Sequence, residues 1–206
     1  MNVLLINGSP KKDGCTYTAL SEIAGALHAN GVETRVFHIG SAPVQECTAC
    51  GHCRGTGYCI FNSDSVNECA DLMKKSDGVI VGSPVYYAGP TGSICAFLDR
   101  LFFMKSDAYL YKPAAAVVSC RRAGSTAALD RLHKYFYLAS MPIVTSQYWN
   151  MVHGNTPEEV RQDLEGLQIM RTLGNNMAWM LKCLAAARDT VPAPVREKRV
   201  GTNYIR

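Results

Sequence analysis

Short, wholly apolar runs along this chain alternate with longer stretches in which apolar residues return every three or four positions. Residues 3–6 are apolar without exception, as expected of a strand covered on both faces. Leu20, Ile23, Ala24 and Leu27 then repeat at helical spacing from Thr16 to Asn30, and Gly31 follows as a C-terminal stop. Further strands are predicted at residues 33–39, 78–82, 114–119 and 142–146. Between them lie three helices. The first is introduced by Ser65, whose distance from Glu68 is that of a capping box. The second is marked by Ile94, Leu98 and Leu101 after a turn at 84–90, the third by Leu129, Leu132 and Phe136. Beyond Pro157, the spacing of Val160, Leu164, Leu167, Leu173, Met177, Leu181 and Leu184 predicts a closing helix of about eight turns, bent near Gly174.

Strand and helix alternate throughout, and with right-handed crossovers this makes an α/β fold: a parallel sheet with helices on both faces. Ligands in such folds bind at the carboxyl ends of the strands, near the switch in strand order. The loops at 7–16, 84–90 and 119–125 are therefore expected to converge there.

The first loop has the chemistry of a phosphate site. Gly8 and Gly14 permit tight backbone geometry, Ser9, Thr16 and Thr18 offer hydroxyls, and Lys11 and Lys12 supply charge. The following helix would turn its free N–H groups toward an anion held in the loop. The spacing is neither that of a triphosphatase P-loop nor that of Gly-x-Gly-x-x-Gly, which argues against both.

Composition narrows the class. A hydrophobic fraction of 48% in 206 residues supports one substantial core, read as a single unit over residues 1–187 with a tail at 188–206. No apolar stretch is long enough to span a bilayer, and no leader pattern opens the chain, so a cytoplasmic protein without a membrane partner is expected. The net charge of +4 is scattered, and no basic run is interleaved with aromatics, so no nucleic-acid partner is expected. Nine cysteines, four of them crowded into residues 47–59, point to metal or redox chemistry in a reducing compartment.

The second loop carries Pro84, Val85, Tyr86, Tyr87 and Pro90, a stiff rim with stacking surface for a flat aromatic ligand. Together Asn7-Gly8-Ser9-Pro10, Gly82-Ser83-Pro84-Val85-Tyr86-Tyr87, Ser119 to Gly124 and Gln147-Tyr148-Trp149-Asn150 resemble the NADPH-dependent FMN reductase and iron-sulfur flavoprotein branch of the flavodoxin-like superfamily. The resemblance covers nearly the whole chain. It implies a flavodoxin-like five-stranded parallel sheet in the order 2-1-3-4-5, with Ser9, Lys11, Cys15 and Thr16 holding the FMN phosphate and Pro84, Val85, Tyr86 and Tyr87 bordering the isoalloxazine ring. Family members often carry asparagine where Cys15 stands. Ser119 and Arg121 follow the fourth strand at the same edge, and the pair Arg121 and Arg122 suits the 2′-phosphate of NADPH or a negative flavin edge. Tyr148, Trp149, Asn150 and His153 are candidate pocket walls. His28, His38 and His133 are given no function.

Cys47, Cys50, Cys53 and Cys59 form a compact array with Gly51, Gly55 and Gly57 between and beside them. Four thiolates at this spacing satisfy a [4Fe-4S] centre, and iron-sulfur flavoproteins carry a similar quartet between the second strand and the next helix. Structural zinc and free or redox-active thiols are compatible with the same residues. His52 is read as a bystander, and Cys69, Cys95 and Cys183 as small core residues.

No nucleophile set is legible, and flavin chemistry needs none, because the cofactor supplies the reaction and the protein its position. The expectation is an FMN-dependent oxidoreductase passing electrons from NAD(P)H or a ferredoxin-like donor to an acceptor. A non-enzymatic FMN and iron-sulfur carrier and a zinc-stabilised binding module are the alternatives. The resemblance also implies a homo-oligomer, and among the last four residues, Asn203, Tyr204, Ile205 and Arg206, the aromatic Tyr204 and aliphatic Ile205 are the candidate contact.

Overall fold

The computed structural model describes residues 1–104, 106–198, 200–202 and 204. Five strands form one parallel sheet in the order β2-β1-β3-β4-β5: β1 Asn2–Asn7, β2 Glu33–His38, β3 Gly78–Pro84, β4 Ala114–Cys120 and β5 Met151–His153. This is the flavodoxin-like order. The helices are α1 Cys15–Ala29, α2 Cys53–Thr56, α3 Val66–Lys75, α4 Gly92–Phe103, α5 Ser125–Leu138, α6 Pro157–Val160 and α7 Leu164–Ala187.

Alternation along the strands feeds two cores. Leu4, Ile6, Val79, Val81, Ala116 and Val118 pack toward α3, α4 and α5, while Val3, Leu5, Ile80, Ala115 and Val117 pack toward α1 and α7. Both faces are covered, which is why the central strands read as continuous apolar runs.

Three local expectations are corrected. The predicted fifth strand at 142–146 touches β4 only near its start, where Ala114 N–H donates to the Pro142 carbonyl at 2.9 Å and Val144 N–H donates to the Ala114 carbonyl at 2.8 Å. The chain then leaves the sheet, Asn150 Nδ2 satisfies the Ala116 carbonyl at 3.1 Å, and the ladder resumes at Met151. The predicted eight-turn helix is broken after Val160, because Asp163 caps a new helix by accepting from Gly166 N–H at 2.9 Å. α7 runs through Gly174 and crosses α1 there. Ser65 makes no capping bond, and Asp64 accepts from Val66 N–H at 3.2 Å instead.

Cys69 is buried, Cys95 half-buried, and Cys183 is exposed on α7, so only the first fully meets the expectation of a core residue. In the tail, the Tyr111 hydroxyl donates to the Pro194 carbonyl at 3.4 Å and Arg196 pairs with Asp107 at 3.5 Å. Asn203, Ile205 and Arg206 lie outside the described residues, and Tyr204 is exposed. Among the described residues no helix is long and apolar enough to cross a membrane.

Candidate functional site

The loop after β1 is shaped by the last residue of that strand. Asn7 Oδ1 accepts from Ser9 N–H at 3.0 Å, and Asn7 Nδ2 donates to the Lys12 carbonyl at 3.0 Å, so one buried amide spans the turn. Ser9 Oγ accepts from Lys11 N–H at 3.1 Å, and the Ser9 carbonyl meets His38 Nε2 at 2.8 Å. Gly8 passes through a gap that only glycine fits: a Cβ there would stand 2.7 Å from Ile94 and 2.9 Å from the Gly82 carbonyl. Gly14 is the N-cap of α1. It brings no side-chain oxygen, and no acidic residue occupies the first turn, so the first backbone N–H groups and the positive helix end face the loop beside Lys11.

The other two loops close on this one. Val85 N–H donates to the Ser119 carbonyl at 2.9 Å, and the Thr16 and Ser119 hydroxyls are hydrogen-bonded at 2.9 Å. Gly124, at φ 89°, packs so tightly on the second loop that a Cβ would lie 2.7 Å from Ala88 Cα. Tyr86 and Gly89 exchange backbone hydrogen bonds of 2.8 and 3.0 Å, which places Tyr87 and Ala88 at φ 48° and 59° on a tight turn. Tyr87 is fully exposed at its tip. The convergence predicted for the three loops is thus present. Arg121 and Arg122 are exposed at its margin. Tyr148 and Trp149 pack edge to face at 4.4 Å.

Within this group, Ser9, Thr16 and Ser119 are buried, Lys11, Tyr86 and Tyr87 are exposed, and Pro84 and Val85 are half-buried. Cys15 donates its thiol to the Gly154 carbonyl at 3.7 Å. Burial raises its pKa, a backbone hydrogen bond and Lys11 oppose the rise, and Glu159 and Glu158 add to it. The thiol therefore stays protonated at neutral pH and ties the first loop to the turn after β5.

The cysteine segment lies between β2 and α3. Cys47, Cys50, Cys53 and Cys59 line one hollow together with Ile60, Phe61, Arg100 and Phe103. Ala49, Gly51 and Gly57 take φ values of 54°, 77° and 74°, which lets the backbone curl around it. Burial raises the Cys53 pKa, a backbone hydrogen bond opposes it, and Cys47, Cys59 and Cys50 add to the rise. Among the described residues no three His, Cys, Asp or Glu side chains stand close enough to hold a single metal ion. The donor set of four thiols on one hollow fits a cluster whose thiolates bind separate irons.

Helix α4 separates the two features. At its start the Thr91 side chain accepts from Ile94 N–H at 3.2 Å and donates to the Gly8 carbonyl at 3.1 Å. Toward its far end Arg100 bonds the cysteine segment, and Cys53 donates its thiol to the Phe103 carbonyl at 3.8 Å. At about 1.5 Å per residue, Thr91 and Arg100 lie about 14 Å apart along the axis. Sequence reasoning missed Thr91, Arg100 and the part played by His38. Arg100 sits inside an apolar helical pattern, and nothing local marks which carboxylate will neutralise it.

The profile of the family described as NADPH-dependent FMN reductase matches residues 1–156. This chain belongs to that family. An iron-sulfur flavoprotein of Methanocaldococcus jannaschii is 30% identical over 192 residues, covering 89% of this chain and 99% of that protein. The iron-sulfur flavoprotein of Methanosarcina thermophila is 25% identical over 194 residues, covering 92% and 100%. Among solved structures, RosB with bound 8-demethyl-8-formylriboflavin-5'-phosphate has a TM-score of 0.71 at 13% identity, covering 100% of this chain and 94% of that one. That likeness concerns the fold. Membership of the FMN reductase and iron-sulfur flavoprotein family makes this chain a flavodoxin-like flavin oxidoreductase by family.

Proposed function

We propose that this protein binds FMN at the converged loops and carries electrons from NAD(P)H or a ferredoxin-like protein, by way of flavin and an iron-sulfur cluster, to an acceptor. The observation that carries this reading is the meeting of three loops over the uncapped start of α1, in a chain of the FMN reductase family. Ser9, Lys11, Cys15 and Thr16 would surround the phosphate, with the α1 amides and Lys11 supplying the positive field. Pro84, Val85, Tyr86 and Tyr87 would border the ring, and Ser119 and Arg121 would complete the edge. Bound there, flavin would supply hydride and electron transfer, and the side chains its position.

Cys47, Cys50, Cys53 and Cys59 are assigned to a [4Fe-4S] cluster, on the strength of the shared hollow and the names of the relatives. The flavin-binding unit is assigned to residues 1–187, and residues 188–206 to a contact between copies of the chain in a cytoplasmic homo-oligomer.

The deciding experiment is a visible spectrum of anaerobically purified protein with FMN, iron, sulfide and zinc quantified on the same sample, followed by turnover with NADH and NADPH. Stoichiometric FMN, iron and sulfide support the reading in full. FMN without iron leaves a nicotinamide-dependent flavin reductase, and colourless protein with stoichiometric zinc rejects the reading. Flavin and cluster without nicotinamide turnover would assign the electrons to a protein donor. Removal of residues 189–206 with no change in sedimentation would reject the tail as the oligomer contact.

A further inference from the structure

Arg100 is 2% exposed, and all five of its N–H donors are used. Nε donates to the Cys59 sulfur at 3.1 Å. Nη1 donates to the Gln45 carbonyl at 3.1 Å and to Asp64 Oδ2, and Nη2 donates to the Phe61 carbonyl at 3.0 Å and to Asp64 Oδ1 at 3.1 Å. Every acceptor belongs to residues 45–64, the segment that contains the quartet. The acceptors also bracket it: Gln45 precedes Cys47, while Phe61 and Asp64 follow Cys59. The guanidinium lies 5.4 Å from the Phe61 ring centroid as well.

Apart from the four-residue α2, this segment holds no helix or strand before α3, so its path depends on contacts with the body of the fold. A buried cation costs solvation unless it is paired and hydrogen-bonded. Here the pairing partner is Asp64, the same carboxylate that accepts from Val66 N–H at the start of α3. One planar fork on a packed helix therefore holds both ends of the cysteine loop. Lysine keeps a positive charge for Asp64 but, as a point charge without that fork, offers no second donor placed for Cys59.

We infer that Arg100 is a positioning residue for the Cys47, Cys50, Cys53 and Cys59 quartet, which closes the segment around the four sulfurs and, through its N–H···S bond, makes Cys59 electronically distinct from the other three. The electronic part rests on the cluster reading above; the positional part does not. A hydrogen bond to a ligating sulfur withdraws electron density from it and favours the reduced state of the bound group.

The test uses the full chain, purified anaerobically, as wild type, Arg100→Lys and Arg100→Met. Backbone hydrogen exchange across residues 45–64 is expected to rise about tenfold in Arg100→Met. Iron and sulfide should be lost from that variant, while FMN content stays at the wild-type level because the phosphate loop lies at the other end of α4. Arg100→Lys should keep iron and sulfide, with the reduction potential of the cluster displaced to a more negative value. Wild-type exchange in Arg100→Met overturns the positional role, and an unchanged potential in Arg100→Lys overturns the electronic one. Loss of FMN from both variants overturns the local character of the effect. Wild-type protein free of iron and sulfide rejects the cluster reading and the electronic part with it, while exchange still decides the positional part.

Discussion

The hydroxyls of Thr16 and Ser119 stand 2.9 Å apart although 103 residues separate them along the chain. The bond joins the first turn of α1 to the end of β4, across the edge where the three loops meet. Only one of the two hydroxyl protons is used between them, so the pair keeps a donor for a third group.

Replacing Thr16 by valine should therefore weaken FMN binding about 5- to 15-fold, the range expected for loss of one net hydrogen bond of about 1–1.5 kcal/mol. Fluorescence titration of the apoprotein measures this directly. Undiminished affinity would remove Thr16 from the flavin site and leave it a purely structural partner of Ser119.

Thr91 has two tasks, capping α4 and holding the Gly8 carbonyl. Thr91→Val is expected to cost about 1–2 kcal/mol of stability, as for other lost N-caps, and to weaken FMN binding by loosening the first loop. Urea denaturation of the apoprotein, compared with its FMN affinity, separates the two effects. A stable variant with normal flavin affinity contradicts this account of the loop.

Gly174 and Gly25 both lie in helix interiors but should respond to alanine with opposite signs. A Cβ at Gly174 would stand 2.7 Å from Ala26 Cβ and 2.9 Å from the Ile23 carbonyl, whereas one at Gly25 meets nothing within 4 Å. Overpacking costs about 1–3 kcal/mol and should exceed the roughly 1 kcal/mol that alanine contributes over glycine in a helix. Thermal melts should place Gly174→Ala below wild type and Gly25→Ala above it.

His133 gives stability a pH dependence. Burial lowers its pKa from 6.5, Asp130 opposes the shift and Lys134 adds to it, and among the described residues its buried Nε2 has no hydrogen-bond partner. The unfolded chain therefore takes up the proton first as pH falls. The contribution is complete above the unfolded pKa of about 6.5 and is lost as pH drops through the lower folded value. In denaturant titrations between pH 7 and 5, His133→Leu should show a shallower loss of stability than wild type, and equal slopes would contradict the assignment.

Much of the architecture was legible in the order of residues. Apolar runs buried on both faces, helices with a repeated apolar stripe and loops rich in glycine and hydroxyls are local signals, each set by a few neighbouring side chains. They carried the sheet, its helices and the edge where the loops meet, and the cysteine spacing marked the quartet. The split fifth strand and the clamp at Arg100 were not legible, because each depends on a group distant in sequence, whereas the break before α7 rests on a local cap at Asp163 that apolar spacing does not register. Asn150 replaces a ladder bond at Ala116, and Arg100 finds Asp64 and Cys59 only after α4 has packed against the sheet. Local periodicity records which face of an element is buried. Which buried polar group answers which other is decided by packing, since desolvated donors and charges must find partners wherever the fold brings them.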